Sequence, residues 1–556
     1  MATSLEIAQQ AELRPIAQVA RDAGLEGAET EPFGRYAAKV GLSVLERLAG
    51  RTEGKLVVVT AITPTSAGEG KTTTAIGLTQ GLARVGTGAV LCMREPSVGP
   101  VFGAKGGGTG GGYAQVLPME EINLHLTGDF HAVTAAHNLL AAALDASIYH
   151  DNPLDIEARS ITWPRTLDVN DRSLRQIIIG LGGTAHGVPR ESGFVITAAS
   201  EVMAILALSR DRADLRERLG RIVVAETRKG LPVTAEALRV AGAMAVLMKE
   251  AVRPNLVQTL EGQPVLIHAG PFGNIATGNN SILADKVALK LADVVVTEAG
   301  FGADLGFEKF CHLVRRYGEV SPSAAVVVAT ARALKMHGGR SEREAAATED
   351  LEALRRGAAN LAAHVDVVRT FGLPCVVSIN RFEGDSEQEL RLLRDIAGDL
   401  GDEVAVNDGY SRGGEGSEEL AKAVLAVLER PGRFRALNDP GIHIREQTER
   451  IATRLYGARS VEFADAAVRS MKKLEDRDLA ELPVCMAKTH MSLSHDPAQK
   501  GRPEGFVLPV RDLVPSVGAG FVVALCGDIM LMPGLGRDPA FARMDVDPSG
   551  TTVGLA

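Results

Sequence analysis

The sequence predicts an α/β fold of the P-loop type, in which a mostly parallel sheet flanked by helices carries additional smaller α/β lobes. Two observations lead to this prediction. The apolar run at 57–60 passes through a glycine-containing loop into a helical pattern that begins at Lys71. Between 264 and 408, short apolar runs alternate with helical patterns, which is typical of parallel strands joined by helical crossovers.

The individual elements follow from the same patterns. Residues 5–23 and 36–48 carry helical patterns, and Pro15 is expected to break the first of them. A long amphipathic helix is expected at 199–219. Apolar runs predict strands at 89–93, 265–267, 294–296, 325–328, 375–379 and 404–406, with helices at 351–361 and 387–396 among them.

These elements suggest three regions. Residues 1–150 and 264–430 are expected to form a nucleotide-binding α/β core with N-terminal helices. Residues 151–263, which read as helical and charged, are expected to form an inserted lobe. Residues 431–556 are expected to form a C-terminal lobe that contains short strands.

Composition limits the possible functions. The chain has 556 residues, of which 45% are hydrophobic and 60 are glycine, as expected of a globular α/β enzyme. Its net charge of −9 argues against nucleic acid or a membrane surface as a partner, because both require a dense basic patch. The five scattered cysteines indicate neither a disulfide framework nor a zinc site. With no signal peptide or membrane-spanning run recognisable, a cytoplasmic location is expected.

The loop 65–72 is predicted to bind nucleotide phosphates. Backbone N–H groups and the positive end of the following helix converge there, and Lys71 adds a full charge. Thr65 stands where the general pattern G-x-x-x-x-G-K-[ST] has its first glycine, so a glycine-rich turn that merely starts a helix is the alternative. The predicted phosphate-binding residues are Thr65, Ser66, Ala67, Gly68, Glu69, Gly70, Lys71 and Thr72.

A second group of residues predicts an anion site beside this loop. Arg94 and Glu95 follow the strand at 89–93, and ligands of open α/β sheets bind at the carboxyl ends of strands. Six glycines then occupy seven positions, 106–112; close approach of the backbone to an anion is favoured over a flexible linker. The residues assigned to this anion loop are Gly106, Gly107 and Gly108.

Two anion sites side by side indicate that ATP activates another anion, typically a carboxylate. The mutual repulsion of the two anions must be offset by Mg²⁺, by Lys71 and by a further cation, for which Arg94 is the candidate. Phe382 and Tyr410 lie just past strand ends and could stack on a flat heterocycle; ordinary packing under a loop is the alternative.

At this point the sequence resembles the formate–tetrahydrofolate ligases (10-formyltetrahydrofolate synthetases) over its whole length. The resemblance is carried by long uninterrupted stretches, which are more specific than any single motif. They include TPTSAGEGKTTTAIGLTQGL at 63–82, REPSVGPVFGAKGGGTGGGY at 94–113, HAGPFGNIATGNNS at 268–281, TEAGFGADLGFEKF at 297–310, VVVATARALKMHGG at 326–339 and PVCMAKTHMSLS at 483–494.

The resemblance implies that ATP, formate and tetrahydrofolate give ADP, phosphate and 10-formyltetrahydrofolate through formyl phosphate. It implies Lys71 on the transferred phosphoryl group, Arg94 and Glu95 at the formyl phosphate, and the pterin between Phe382 and Tyr410. Mg²⁺ is expected, with Thr72 and Glu298 as candidate ligands. A tetramer and activation by a monovalent cation are further expectations from the family.

The sequence departs from the family pattern at several positions. Ser66 replaces a proline of the loop, and Tyr410 stands where a stacking tryptophan is usual, which reduces the ring area. Val195 and Thr277 replace a carboxylate and an imidazole. Two alternatives therefore stay open: a nucleotide-switch ATPase, in which residues 380–383 would read the base, and a family member with impaired catalysis that acts as a binding module.

Overall fold

The computed structural model describes residues 2–66, 68–105, 107–430 and 432–555. Over these residues the chain folds around a twelve-stranded sheet with helices on both faces. The predicted α/β class and the mostly parallel sheet are confirmed. In chain order the strands are β1 (Thr30–Phe33), β2 (Ala37–Val40), β3 (Lys55–Ala61), β4 (Ala89–Met93), β5 (Gly110–Gly111), β6 (Ala114–Leu117), β7 (Asn255–Thr259), β8 (Pro264–Ile267), β9 (Val294–Glu298), β10 (Ala324–Ala329), β11 (Cys375–Asn380) and β12 (Glu403–Asn407).

The order of the strands places β3 inside the sheet. Along the main path the order is β1-β2-β7-β8-β4-β9-β3-β10-β11-β12, and β6, with β5 on its outer side, pairs with β7. All neighbouring pairs along the part of this path that runs β8-β4-β9-β3-β10-β11-β12 are parallel. The pairs that involve β1, β2, β5, β6 and β7 with one another, and β7 with β8, are antiparallel. The carboxyl ends of β4, β9, β3, β11 and β12 therefore share one edge.

The strand β3 is buried on both of its faces. Val57 and Val59 pack with one buried cluster, which contains residues of the helices Lys71–Arg84 and Glu418–Leu428. Leu56 and Val58 pack with the other, which contains residues of Ile282–Leu291 and Leu351–Thr370. Since successive side chains of a strand point to opposite faces, a continuous apolar run is what a sheet with two covered faces requires.

The helices surround this sheet, and none in the described residues is long and apolar enough to cross a membrane. The helices of at least eight residues are Lys71–Arg84, Asp129–Tyr149, Glu201–Leu208, Arg212–Arg221, Ile282–Leu291, Leu351–Thr370, Glu387–Leu400, Glu418–Leu428, Ile444–Leu455 and Asp465–Glu475. The shorter ones are Ser4–Gln10, Ile16–Asp22, Ser43–Arg47, Val98–Pro100, Met119–Leu124, Ala241–Leu247, Arg315–Gly318, Ala331–His337, Glu342–Ala347 and Gly409–Arg412.

The helices predicted at 351–361 and 387–396 are confirmed, and so is the break at Pro15. The predictions for 36–48 and 199–219 are wrong in part. Pro15 does separate two helices, Ser4–Gln10 and Ile16–Asp22. Residues 36–48, in contrast, begin with β2, because pairing with β1 and β7 overrides the helical pattern. The segment 199–219 forms two helices rather than one, since Asp211 caps a new helix by accepting a hydrogen bond from the backbone N–H of Asp214.

Several small sheets lie outside the main sheet. Residues 151–263, expected to be helical, contain strand pairs as well as helices, and 255–259 belongs to the main sheet. The three-region division stays a prediction. The paired small strands are Arg165–Thr166 with Phe194–Val195, Ile177–Ile179 with Arg190–Ser192, Val223–Glu226 with Pro232–Thr234, Ser460–Phe463 with Val507–Val510, Asp545–Val546 with Thr552–Val553, and a sheet of Val484–Ala487, Phe521–Leu525 and Asp512–Ser516.

Candidate active site

The loop 65–72 joins β3 to the helix Lys71–Arg84, and its last turn depends on glycine. Gly70 has a φ of +73°, and a Cβ there would lie 2.6 Å from the amide nitrogen of Asn380. That amide nitrogen donates to the carbonyls of Glu69 at 2.8 Å and Gly70 at 3.2 Å. These two carbonyls accept hydrogen bonds from Asn380, so they do not point at a ligand. The loop instead presents the positive end of the helix to it.

Glu69 closes the loop on itself. Its carboxylate accepts hydrogen bonds from the backbone N–H of Thr65 at 2.7 Å and from the Thr65 hydroxyl at 3.0 Å. Burial raises the pKa of Glu69, although Lys71 and the Thr65 hydrogen bonds act in the opposite direction. The Ser66 hydroxyl donates to Glu342. Ala67 lies outside the described residues.

A cavity of about 200 Å³ lies where β4 and β9 end, and we call it the arginine pocket. Arg94 follows β4 and donates from Nη1 to the Pro271 carbonyl at 3.3 Å, whereas its Nε is buried without a hydrogen-bond partner among the described residues. An anion in the pocket would supply the missing acceptor. The pocket is lined by Thr72, Arg94, Glu95, Pro96, Ser97, Pro100, Val101, Gly107, Gly108, Gly270, Phe272 and Glu298.

The loop meets the arginine pocket at Thr72, which lines it. The Thr72 hydroxyl donates to the Glu298 carboxylate at 2.7 Å. Burial lowers the pKa of Lys71, and the positive charge of Arg94 lowers it further, while Glu69 and Glu298 act to raise it. Two cations and two carboxylates therefore interact within one small, poorly solvated region, as expected of a site that handles charged groups.

Glu95 also lines the arginine pocket, and it is only 5% exposed. Burial raises the pKa of Glu95 well above its ordinary value; Asp129 and Asp168 raise it further, and Lys39 opposes them. Asp168 accepts hydrogen bonds from the Ser97 hydroxyl at 2.6 Å and the Val98 backbone N–H at 2.8 Å. Sequence reasoning missed Asp168, because only the fold brings it to the segment that follows Glu95.

The glycine stretch divides between two tasks. Gly107 and Gly108 line the arginine pocket, and the Gly108 backbone N–H donates to Asn123 at 2.7 Å. Gly106 lies outside the described residues. Gly112, at a φ of +58°, instead supports Tyr410: a Cβ at Gly112 would lie 2.0 Å from the Tyr410 carbonyl oxygen. Only the first half of the stretch therefore reaches the anion site.

A second cavity, of about 550 Å³, lies where β11 and β12 end, and we call it the aromatic pocket. Phe382 is half-buried, with the Arg332 guanidinium 5.3 Å from the centre of its ring. Tyr410 is 50% exposed. The two aromatic residues that the sequence suggested for stacking therefore line one cavity. Its lining is Gly68, Gly70, Thr73, Arg332, Asn380, Arg381, Phe382, Glu383, Asn407, Tyr410 and Ser411.

Comparison with known proteins identifies the family. A sequence model of the family described as formate–tetrahydrofolate ligase matches residues 2–556. A protein of that name from Roseiflexus sp. (strain RS-1) is 52% identical over 564 residues, with 100% of both chains covered. The chain belongs to the formate–tetrahydrofolate ligase family. Ligases of the same name from Desulforamulus reducens and Symbiobacterium thermophilum are each 53% identical; all of this chain is covered, with 99% and 100% of theirs.

Two residues that depart from the usual pattern of this ligase family lie outside both pockets. Val195 is buried, and its carbonyl accepts a hydrogen bond from the Thr166 hydroxyl at 2.8 Å. Thr277 is fully buried, and its carbonyl accepts from the Asn279 amide at 2.8 Å. Neither residue lines the arginine pocket or the aromatic pocket. A direct contact of either side chain with a ligand in these cavities is therefore not indicated.

Proposed function

We propose that this protein joins formate to tetrahydrofolate with conversion of ATP to ADP and phosphate, through a formyl phosphate intermediate. A formate oxygen attacks the γ-phosphorus, the bond from that phosphorus to the β–γ bridging oxygen breaks, and ADP leaves. The N10 amine of the folate then attacks the carbonyl carbon, phosphate leaves with the former formate oxygen, and the N10 proton is released. The observation that carries this proposal is the electrostatic interaction of Lys71, in the loop, with Arg94 and Glu298, which line the arginine pocket.

Binding of ATP is assigned to the loop 65–72, which would act as a P-loop. Phosphate oxygens at the start of the helix Lys71–Arg84 would accept hydrogen bonds from its first backbone N–H groups. Lys71 would contact the γ-phosphoryl group and stabilise the charge that develops during transfer. Glu69 fixes the loop through Thr65, which keeps these donors in place before the nucleotide arrives.

Two residues that line the arginine pocket, Thr72 and Glu298, fit a magnesium ion. Thr72 and Glu298 supply a hydroxyl and a carboxylate oxygen, and Mg²⁺ is typically held by one or two such ligands together with waters and phosphate oxygens. We assign these two residues to it. A bound Mg²⁺ would neutralise phosphate charge during transfer.

Formate and the formyl phosphate are assigned to the arginine pocket. Arg94 would bind the carboxylate and then the acyl phosphate, since its Nε has no other acceptor among the described residues. The backbone of Gly107 and Gly108, where no Cβ intervenes, would allow close approach of the phosphate oxygens. Glu95, which lines the same pocket, is assigned to the formyl phosphate site together with Arg94.

The pterin of tetrahydrofolate is assigned to the aromatic pocket, between Phe382 and Tyr410. Stacking on one half-buried and one half-exposed ring would orient the folate while one side of the pocket stays open. The residues Gly68, Gly70 and Thr73 of the loop region border this pocket as well. The folate amine could thus reach an acyl phosphate on the other side of the loop. A tetrameric assembly and a monovalent cation remain family expectations.

The switch-type ATPase is less well supported. A base-reading Asn380 would need a free side chain, but its nitrogen donates to the loop carbonyls and its oxygen accepts from Thr74 at 2.8 Å and Asn407 at 2.8 Å. The binding-module alternative rests on Val195 and Thr277, which lie outside both pockets.

One assay separates these functions. Purified protein is mixed with MgATP and tetrahydrofolate, with and without formate, and ADP and formylated folate are measured. We expect both products only when formate is present. ATP hydrolysis that is indifferent to formate and folate would contradict the ligase, and a folded protein that gives no product with all three substrates would support the binding module.

A further inference from the structure

A buried hydrogen-bond network surrounds Thr63, the residue that leads from β3 into the loop. Thr63 is 1% exposed, and all of its polar groups have partners. Its backbone N–H donates to the Asn360 side chain at 3.1 Å, and its carbonyl accepts from His337 Nε2 at 2.9 Å. Its hydroxyl accepts from the Asn360 amide at 2.9 Å and lies 3.0 Å from His364 Nε2.

The two histidines of this network have defined tautomers. His364 Nδ1 accepts the backbone N–H of Ala303 at 3.2 Å, so Nε2 carries the proton that faces Thr63. His337 Nδ1 accepts the backbone N–H of Gly501 at 3.4 Å, so its Nε2 donates to the Thr63 carbonyl. Burial lowers the pKa of each histidine to about 4, and both are neutral near pH 7.

The network continues into the C-terminal lobe. The Gly501 carbonyl accepts from the Asn360 amide at 2.7 Å. Lys488, whose side chain is fully buried, forms an ion pair of 2.6 Å with Asp304 and donates to the carbonyl of Ser492 at 2.6 Å. Asp304 follows Ala303 and lies 3.9 Å from His364 Nδ1. Lys488 thus neutralises the charge of Asp304, which lies next to His364.

We propose that the C-terminal lobe positions the phosphate loop: Lys488 and Gly501 hold His364, His337 and Asn360, and these three side chains fix Thr63 at the start of the loop. Lys488, His364 and Thr63 are positioning residues, since none of them lines either pocket. The proposal rests on the proposed function in one respect, namely that the loop binds the phosphates of ATP.

The charge of Lys488 has a specific consequence for His364. The charged and titratable groups that act on His364 are Asp304, His337, Lys488 and Lys71; Asp304 raises its pKa and the others lower it. Without Lys488, Asp304 would be unpaired and the pKa of His364 would rise. A proton on Nδ1 would then replace the acceptor that Ala303 needs, and the network would weaken as the pH falls.

The first test compares Thr63→Val with Thr63→Ser. Valine keeps the shape but leaves two buried donors unpaired, so MgATP affinity, measured by calorimetry, should fall about ten-fold, while tetrahydrofolate affinity changes less than about two-fold. Serine keeps the hydroxyl and should restore MgATP affinity to within about two-fold of the unsubstituted protein. Equal MgATP affinity in the two folded variants would overturn the proposal.

The second test compares Lys488→Met with a matched control, Arg218→Met. Arg218 is also a buried cation: it pairs with Asp214 at 3.0 Å, lies 4.7 Å from the centre of the Tyr317 ring and donates to Ala519 in the C-terminal region. Lys488 similarly lies 4.9 Å from the centre of the Tyr456 ring. Both substitutions should lower the melting temperature, because Lys488→Met leaves the buried Asp304 without its ion pair and Arg218→Met removes one of the two arginines that pair with the buried Asp214.

Only Lys488→Met should weaken MgATP binding. Only its kcat/KM for ATP should fall more steeply than that of the unsubstituted protein as the pH is lowered from about 7 to 5, because the pKa of His364 is higher without Lys488. Identical ATP affinity and pH profiles in the two variants would overturn the proposal. If Lys488→Met does not fold, the Thr63 pair decides. An unsubstituted protein that binds MgATP but makes no formylated folate would contradict the proposed function alone, because the binding comparison would still stand.

Discussion

The arginine pocket and the aromatic pocket lie on the two sides of β3 and share its loop, but they are built differently. In the arginine pocket, Arg94 Nε and Glu95 Oε2 are buried without partners among the described residues. In the aromatic pocket, Phe382 is half-buried and Tyr410 is 50% exposed. Fixed polar groups that lack protein partners suit a reaction centre, whereas open ring faces suit a substrate that must enter and leave.

This difference has a consequence for substitutions. Removal of a buried charged group leaves its partners desolvated and unpaired, so large effects are expected around Lys71, Arg94 and Glu298. Removal of part of a stacking surface only reduces the contact area with the ligand, so smaller effects on the KM for tetrahydrofolate are expected at Phe382 and Tyr410.

Lys71→Ala should have the largest effect. The transferred phosphoryl group would lose its full positive charge, and ADP formation should fall by roughly a thousand-fold or more, with tetrahydrofolate affinity nearly unchanged. Single-turnover ADP formation and folate binding by calorimetry measure the two quantities. ADP formation at the normal rate would remove Lys71 from the transfer step.

Arg94→Ala should reduce formation of formyl phosphate by roughly a hundred- to a thousand-fold while ATP still binds. The matched control is Arg332→Ala, which removes a guanidinium from the aromatic pocket and should leave formyl phosphate formation within about three-fold. Formate-dependent ADP release in the absence of folate is the measurement. If both variants lost it equally, the two pockets would not have separate tasks.

Glu298→Gln should raise the Mg²⁺ concentration required for half-maximal activity by about ten-fold, because the ion would lose a charged ligand. The Thr72 hydroxyl can still donate to the glutamine carbonyl, so the melting temperature should change little. An unchanged Mg²⁺ requirement, measured by titration at saturating ATP, would show that Glu298 does not hold the ion.

The pH dependence of the ATP step should reflect Lys71. Its folded-state pKa lies below the ordinary value of 10.5, so the positive charge is present at lower pH and is lost as pH rises through that lowered value. kcat/KM for ATP should therefore decline on the alkaline side before pH 10.5. Lys71→Arg should retain its charge and remove this decline; a decline of the same shape in that variant would exclude Lys71 as its source.

Tyr410→Trp should have the smallest effect, in the direction of improvement. The larger ring would add stacking area, and the KM for tetrahydrofolate should fall by about two- to five-fold. Phe382→Leu provides the opposite change at the other face and should raise that KM by a similar factor. An unchanged or higher value in Tyr410→Trp would argue that this ring does not stack on the pterin.

Much of the fold could be predicted from the sequence, because its central strands are continuous apolar runs. The run at 89–93 matches β4 residue for residue, so Arg94 was correctly expected at a strand end. The strand β2 was missed, since its pairing with β7 joins residues more than two hundred positions apart. Such pairing leaves no local signal.

The candidate site shows the same limit. Residues of the loop and strand ends could be predicted from motifs and position, but the residues that hold them could not. Thr63 and Asn360 are 297 positions apart. The glycine stretch looked uniform, yet Gly112 serves Tyr410 rather than the anion site. Contacts between distant segments decide these roles, and only the folded structure contains them.

The most direct test of formyl transfer through the two pockets follows the formate oxygens. The protein is supplied with MgATP, tetrahydrofolate and formate labelled with ¹⁸O at both oxygens, in unlabelled water. We predict one labelled oxygen in the inorganic phosphate and one in the formyl group, because formate attacks the γ-phosphorus before the folate amine displaces phosphate. Formylated folate that forms together with unlabelled phosphate would contradict this mechanism.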